Sequence, residues 1–333
     1  MKPISIQYLS GFDVAALNMS NDEILAAIEA SLRAQGEGQT VIEPRMHLVP
    51  DASAHGHFNV LRGYIGSSHT AGVKIVGDFH NNYKQGLPSE FGLLNLMDGR
   101  TGQPRAILDA TGITEMRTGA ITAIGAKYLA PPKPRILGHI GARGTAYWNI
   151  RLLDHLFDFD EIRVHSRRPE SREAFADKLR SDLGKDIVVT DSWQDCLQGA
   201  DILVEASRLT EAQALFKSDW IRPGALVIPY GTMSSVEDDI CDRVDKIVVD
   251  DWGQCLIGPF GCLRRHVDSG RVTRESIHGE LGDICAGKIP ARQSDSEACL
   301  FWHRGLSTSD IALGVAMLEK AEKLGIGHSL PYA

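Results

Sequence analysis

The sequence predicts an α/β protein with a doubly wound parallel sheet in one domain and an α+β organisation in the other. Three observations support this fold class. Strand-like and helix-like segments alternate between residues 134 and 250, β-like runs dominate residues 39–109, and 333 residues suffice for two hydrophobic cores. The two halves of the chain therefore belong to different domains.

The composition excludes several classes of protein. With 43% apolar and 23% charged residues, the chain has an ordinary globular composition rather than a disordered one. A formal charge of -8 argues against a nucleic-acid surface, and no apolar run approaches the roughly 18 residues that span a bilayer. The N-terminus lacks a signal-peptide pattern and the six cysteines are scattered, so we expect a cytoplasmic protein.

The first part of the chain predicts one helix and a largely antiparallel sheet. Residues 20–38 begin with Ser20 and Glu23 at the spacing of a capping box, repeat apolar residues every three or four positions, and end in glycines. β-like runs follow, and two of them flank Asp98 and Gly99, a strong hairpin signal.

The second part predicts a parallel sheet. A long helix rich in Ala and Gly covers residues 111–130, and strands and helices then alternate. Residues 307–325 are amphipathic, and we expect them to return to the first domain. The predicted domains are 1–127 with 306–333, for substrate binding and dimerisation, and 128–305, for dinucleotide binding.

A glycine cluster after the first strand of this alternation predicts a dinucleotide-binding turn. From Gly141 the sequence reads G-A-R-G-T-A, so Gly141 can make the tight turn and Ala146 is small enough for close packing. Gly144 is displaced by one place, and Arg143 can compensate by binding a phosphate. A turn without a ligand is the alternative, but the alternation around it favours a nucleotide at the helix N-terminus.

The end of the next strand bears on the choice of cofactor. It reads Ser166-Arg167-Arg168 without an acid, which favours the 2′-phosphate of NADP(H), unless the arginines merely flank the adenine. The predicted cofactor-binding residues are Gly141, Ala142, Arg143, Gly144, Thr145, Ser166, Arg167, Arg168, Ala206 and Ser207.

Four stretches together resemble the ornithine cyclodeaminase/μ-crystallin family. They are "AGVKIVGDF…GLPS", "LDATGITEMRTGAITAIGAKYLA", "ILGHIG" and "ADILVEAS…WIRPGALV". The resemblance covers most of the chain. It implies a homodimer whose N-terminal sheet domain, joined by the C-terminal helix, faces a Rossmann domain. It also implies nicotinamide chemistry on an α-amino or α-imino acid.

The resemblance implies a basic clamp for the substrate α-carboxylate, formed by Arg45, Lys74 and Arg117, and a substrate contact at Ser89. The sequence itself supports part of this clamp. Lys74 interrupts an apolar strand, where an ammonium is costly to bury unless it is paired. Structural ion pairs are the alternative for each of the three cations.

Two departures from the family pattern narrow the expected reaction. No acid stands at the place in "PYGTMSSVED" where cyclodeaminases carry a catalytic Asp. Near the end, "LFWHRG" brings His303 and Arg304 into the site region. Arg304 suggests a second carboxylate on the substrate, and His303 could protonate an imine. A surface His-Arg pair is the alternative.

Within the family, "GHIGARGTAYWN" and "RVHSRRPESR" resemble the iminosuccinate reductases and the ectoine-utilisation cyclodeaminase-like members. This resemblance implies reduction of iminosuccinate to L-aspartate. The predicted catalytic residues are His303, Lys74 and Arg117. The resemblance favours NAD(H), and NADP(H) stays open. The alternatives are a cyclodeaminase acting on ornithine or another diamino acid, and a μ-crystallin-like protein that binds a cofactor or ligand without turnover. We expect no metal, because His55, His57, Cys255 and Cys262 lack zinc-site spacing.

Overall fold

The computed structural model describes residues 3–51, 56–79 and 81–333, without the side chain of Tyr83. Contacts along the chain define two compact units, Met1–Arg117 with Leu306–Ala333 and Thr118–Gly305. The domain boundaries expected from the sequence stay a prediction. No helix among the described residues is both long and apolar enough to cross a membrane.

The helices and strands follow one another along the chain. They are β1 (Ser5–Leu9), α1 (Gly11–Ala16), α2 (Asn21–Gly36), β2 (Thr40–Ile42), β3 (Met46–Leu48), β4 (Gly56–Ile65), β5 (Thr70–Phe79), β6 (Glu90–Asp98), β7 (Pro104–Asp109), α3 (Thr111–Leu129), β8 (Ile136–Ile140), α4 (Ala146–Phe157), β9 (Glu161–His165), α5 (Pro169–Leu183), β10 (Ile187–Val189), α6 (Trp193–Leu197), β11 (Ile202–Glu205), β12 (Leu226–Pro229), β13 (Lys246–Val249), α7 (Trp252–Cys255), α8 (Arg264–Asp268), β14 (Gly279–Glu280), α9 (Leu281–Cys285), β15 (Cys299–Trp302), α10 (Ser307–Leu324) and β16 (His328–Pro331).

The first unit contains an eight-stranded sheet in the order β16-β1-β7-β6-β5-β4-β2, with β3 paired to β4. Among the described strands of this sheet, only β1 and β7 run parallel to each other, so the predicted, largely antiparallel sheet is confirmed. Burial alternates along the strands: Lys74 and Val76 are buried, whereas Ile75 between them is exposed. Helix α10 packs on β4, β5 and β6, and also on α2.

Local signals explain why these elements begin and end where they do. The hydroxyl of Ser20 accepts the backbone N–H of Glu23, whose carboxylate accepts the N–H of Ser20, so the predicted capping box of α2 is confirmed. In the predicted hairpin, Oδ1 of Asp98 accepts the N–H groups of Arg100 and Thr101. The strands on either side pair antiparallel.

The second unit contains an all-parallel sheet in the order β10-β9-β8-β11-β12-β15-β13-β14. The order reverses between β8 and β11, which confirms the doubly wound fold. Strands β11 and β12 are buried along their whole length, as expected when helices cover both faces. Strand β15, inserted between β12 and β13, was not predicted.

Candidate active site

In the first unit, two buried cations converge on one buried carboxylate. Nζ of Lys74, from β5, donates to Oδ1 of Asp310 at 2.6 Å, and Nε of Arg117, from α3, donates to the same oxygen at 2.9 Å. Nζ of Lys74 also donates to the hydroxyl of Thr114 at 3.0 Å. Among the two cations and Asp310, one positive charge is left uncompensated, which suits an anionic ligand.

Burial changes the proton affinity of Lys74. The side chain is 1% exposed, and loss of hydration lowers its pKa to about 8. The positive charges of Arg117 and Arg45 act in the same direction, whereas Asp310 opposes them. Lys74 is therefore an ammonium at neutral pH, but it holds its proton more weakly than an exposed lysine does.

The two other residues predicted for substrate binding in this unit lie nearer the surface. Arg45 precedes β3 and is partly buried, and its charge acts on Lys74. Ser89 precedes β6 and is exposed, and its carbonyl accepts the N–H of Phe79 at 2.8 Å. The structure thus links Lys74 and Arg117 through Asp310 and places Arg45 close enough for its charge to act on Lys74.

In the second unit, the glycine turn links β8 to α4. Gly141 has φ of +112° and Gly144 has φ of +56°, so both adopt backbone conformations that favour glycine. A Cβ on Gly141 would lie 2.8 Å from the carbonyl oxygen of Ala206, whereas one on Gly144 would have no described atom within 4 Å. Ala146 is fully buried. This geometry fits a dinucleotide: a tight turn, open space above Gly144, and the N-terminus of α4.

A hydrogen-bonded chain of side chains, with His139 and Asn149 fully buried, supports this turn. Oη of Tyr230, just after β12, lies 2.6 Å from Oγ1 of Thr145 and 2.5 Å from Nδ2 of Asn149. Nδ2 of Asn149 lies 2.9 Å from Nε2 of His139, and Nδ1 of His139 lies 3.1 Å from the carbonyl oxygen of Gly141. This hydrogen-bonded chain of side chains therefore begins at Thr145 and ends at Gly141, both of which belong to the turn.

His303, which follows β15, is 2% exposed, so the surface-pair alternative is wrong for this residue. Its Nε2 lies 3.0 Å from the hydroxyl of Thr122, and its ring centroid lies 4.4 Å from that of Tyr230. Asp250 holds the following backbone by accepting the N–H groups of Arg304 and Gly305 at 2.8 and 2.7 Å. Burial raises the pKa of Asp250 to about 6.

Arg304 has extensive contacts within the second unit. Its guanidinium donates to the carbonyls of Phe260 and Ile257, the latter at 3.2 Å, and lies over the ring of Trp302. Burial lowers its pKa. These bonds hold the segment 257–260, and the predicted role of Arg304 in substrate binding stays a prediction.

Of the remaining predicted residues, the partly buried Ala142 and the exposed Arg143 lie in the turn after β8, and the others lie after β9 and β11. Arg167 and Arg168 are exposed, and the hydroxyl of Ser166 donates to the carbonyl of Arg168 at 3.2 Å. After β11, the N–H of Ser207 donates to the carboxylate of Glu205 at 2.8 Å. The carboxyl ends of β8, β9, β11 and β12 meet at one edge of a parallel sheet, which is where doubly wound folds bind ligands.

Sequence reasoning missed three residues that organise these groups: Asp310, Glu205 and Tyr230. Asp310 is 0% exposed on α10, and an acid on the buried face of an amphipathic helix is the signal that points to it. Glu205 is buried at the end of β11, where it accepts the N–H groups of Ser207 and Gly231, and burial raises its pKa. It joins the ends of β11 and β12.

The described residues contain no group of three or more His, Cys, Asp or Glu side chains that could hold a metal ion. His57 belongs to the described part of the chain, whereas His55 lies outside it.

A comparison with protein families identifies the chain. The model of the ornithine cyclodeaminase/mu-crystallin family matches residues 7–324. The chain belongs to this family. Its sequence is 28% identical to alanine dehydrogenase of Archaeoglobus fulgidus, over 94% of this chain and 95% of that one.

Solved structures of family relatives have the same fold. Δ1-pyrroline-2-carboxylate reductase of Thermococcus litoralis, in complex with NADH and L-proline, matches with a TM-score of 0.90 and 27% identity, over 98% of this chain and 100% of that one. Iminosuccinate reductase of Paracoccus denitrificans, in complex with NAD+, matches with a TM-score of 0.88 and 23% identity, over 98% and 99%. At 23% identity, the match to the iminosuccinate reductase shows only that the two proteins share a fold.

Proposed function

We propose that this protein is an NAD(H)-dependent reductase of α-imino acids. The observation that carries the proposal is the buried group of Lys74 and Arg117 on Asp310. Two buried cations sharing one carboxylate create a site for a small anion, and the α-carboxylate is the group that all α-imino acids share. The named relatives act on an amino acid or a cyclic imino acid, which supports the same substrate class.

The cation pair would hold the α-carboxylate by different atoms from those that bind Asp310. Arg117 meets Asp310 through Nε, and a guanidinium carries four further N–H groups in a plane that matches a carboxylate. Lys74 adds a point charge from the neighbouring strand. Binding at both residues would fix the C=N group of the substrate in one orientation, and such positioning can lower a barrier by several kcal/mol, roughly.

The glycine turn and the N-terminus of α4 would hold the dinucleotide. We propose NAD(H) rather than NADP(H), because the named relative of Thermococcus litoralis was solved with NADH. When bound, the nicotinamide supplies the hydride for the imine carbon. The exposed Arg167 and Arg168 lie at the strand end where an adenine ribose is expected.

His303 is our candidate for delivering a proton to the imine nitrogen. Protonation makes the C=N carbon more electrophilic, and a histidine can supply that proton near neutral pH. Nε2 of His303 lies 3.0 Å from the hydroxyl of Thr122, which fixes one edge of the imidazole. The rings of Tyr230 and Phe301 pack against the imidazole and hold its orientation.

For the substrate itself we propose iminosuccinate, reduced to L-aspartate. The second carboxylate has two candidate partners. One is Arg304, whose guanidinium binds two backbone carbonyls. The other is the pair Asn59 and His57 in the first unit, joined at 3.1 Å on the face of the sheet that carries Lys74. Leu61 pairs with Lys74, so Asn59 is the diagonal neighbour of Lys74 on that face. We favour this second pair.

We also propose a cytoplasmic homodimer that uses the open face of the first sheet. Met46 pairs with Val60, Val60 with Ile75 and Ile75 with Leu93, so apolar side chains form a row across four strands. Met46, Ile75 and Leu93 are 56%, 41% and 49% exposed. Apolar rows of this kind are typical of interaction surfaces. A sedimentation measurement tests the dimer, and Ile75→Lys should shift it towards the monomer.

The variant Arg117→Ala tests the proposed reaction. We expect kcat/KM for imine reduction to fall by at least about a hundredfold, because a charge-assisted pair to the substrate is lost. NADH affinity, measured by fluorescence titration, should change by less than about threefold, since Arg117 belongs to the other unit. Unchanged turnover would remove Arg117 from the substrate site, and a protein that fails to fold would assign it a purely structural role.

A further inference from the structure

We propose that Tyr230 is a positioning residue that fixes the hydroxyl of Thr145 as a hydrogen-bond donor to the dinucleotide phosphates. The inference rests on the proposed dinucleotide site and deepens it. It is drawn from the hydrogen-bonded chain that links Gly141, His139, Asn149, Tyr230 and Thr145, in which the chemistry of the groups indicates where the hydrogens lie.

The carbonyl of Gly141 determines the donor and the acceptor of the first hydrogen bond in this series. The carbonyl oxygen of Gly141 can only accept, so Nδ1 of His139 carries the hydrogen of their 3.1 Å contact. Burial lowers the pKa of His139 to about 4, so the imidazole is neutral near pH 7 and its Nε2 is an acceptor. The amide Nδ2 of Asn149 therefore donates to this nitrogen at 2.9 Å.

The same amide determines the role of the phenol. The second hydrogen on Nδ2 of Asn149 is donated to Oη of Tyr230 at 2.5 Å. A phenol has a single hydrogen, and we assign it to Oγ1 of Thr145, which lies 2.6 Å from Oη. Hydrogen bonds are thus donated outward from Asn149, on one side towards the carbonyl at the strand end and on the other towards Thr145 at the helix N-terminus.

Thr145 completes the chain at the dinucleotide turn. Its hydroxyl accepts from Tyr230, so its own hydrogen is directed elsewhere. Thr145 is the N-cap residue of α4, yet its side chain makes no capping bond to the helix. The hydrogen is therefore available for an anionic acceptor at the helix N-terminus, where the amide groups and the helix dipole also favour a phosphate.

The ring of Tyr230 has a second contact that ties the turn to the proposed proton donor. It packs against the imidazole of His303, with ring centroids 4.4 Å apart and planes at 30°. One side chain therefore contacts both the hydroxyl at the cofactor turn and the residue that we propose for protonation. Phenylalanine at position 230 would keep the ring contact and remove the hydroxyl.

A double-mutant cycle on NADH binding tests the inference. The variants are Tyr230→Phe, Thr145→Val and the two combined, with Thr145→Ser and Tyr64→Phe as controls. We expect each of the first two to weaken NADH binding about tenfold, because each removes one oriented hydrogen bond to a charged group. The combined variant should also lose about tenfold rather than about a hundredfold, since both changes break the same chain. Both controls should bind like the wild type.

The outcomes separate this inference from the proposed reaction. Independent effects in the combined variant, or a Tyr230→Phe protein of lower melting temperature with unchanged NADH affinity, would overturn the positioning role. NADH binding that follows the expected pattern without imine reduction by the wild type would overturn the reaction alone. A wild type that does not bind NADH would overturn both.

Discussion

Lys74 and Asp310 lie 236 positions apart in the chain and form a buried ion pair with a separation of 2.6 Å. The strand that carries Lys74 and the helix that carries Asp310 come from opposite ends of the sequence, and Arg117 adds a second cation to the same oxygen. The return of the C-terminal segment is therefore what keeps the two cations together inside the first unit.

Asp310→Asn should be strongly destabilising. The change keeps the shape of the side chain but leaves two buried cations without their shared anion, and loss of one partner of a buried pair costs about 3 kcal/mol. Urea unfolding measures this difference. As a control, Glu23→Gln removes the exposed partner of Lys320 and should change stability by less than about 1 kcal/mol. Equal effects of the two variants would contradict the role given to Asp310.

Binding of a dicarboxylate inhibitor should depend on the protonation of Lys74. Succinate is fully ionised above pH 7, and the lowered pKa of Lys74, about 8, means that the ammonium is lost as the pH rises through that value. Inhibition of the enzyme by succinate should therefore weaken above about pH 8. Lys74→Arg should extend strong inhibition to higher pH, because a guanidinium stays charged. Identical pH profiles for the two proteins would show that Lys74 does not bind the inhibitor.

The two glycines of the turn should respond differently to alanine. Gly141→Ala forces an unfavourable backbone conformation and places Cβ against the carbonyl of Ala206, so we expect a loss of about 3 kcal/mol in stability. Gly144→Ala should cost only about 1 kcal/mol, because its left-handed conformation is milder. Its methyl group enters the open space above the turn, so NADH affinity should fall at least about tenfold. Unfolding and NADH titration on both variants check this contrast.

Two variants decide where the second carboxylate binds. Asn59→Leu should reduce activity with iminosuccinate at least about tenfold more than activity with the imine of pyruvate, which has one carboxylate. Arg304→Leu should affect both imines equally, since it releases the segment 257–260. A selective loss of iminosuccinate activity in Arg304→Leu would instead assign the second carboxylate to Arg304, as the sequence suggests.

Much of the fold could be predicted because its signals are local. The capping box at Ser20 and Glu23, the turn at Asp98 and the apolar runs of the parallel strands each lie within a few residues. Strand β15 was missed because its residues follow a long irregular segment and carry no alternation. Its insertion beside β12 depends on long-range pairing that the sequence pattern does not record.

The site was predicted less completely than the fold, because its residues come together through contacts between distant parts of the sequence. Lys74 and Arg117 were found as candidate cations, but Asp310 was not, because an ion pair across 236 positions leaves no spacing signal. Tyr230 directly follows β12 and has no sequence signal of its own. Its hydroxyl has a recognisable role only in the folded protein, where Thr145 and Asn149 lie within hydrogen-bond distance.

The most direct measurement of the central claim is the oxidation of NADH by the purified wild type with oxaloacetate and ammonium, which form iminosuccinate in solution. We predict that absorbance of NADH falls only when both compounds are present, and that L-aspartate appears in equal amount to the NADH consumed. Absence of oxidation under these conditions, together with formation of proline and ammonia from ornithine, would contradict the proposed reaction.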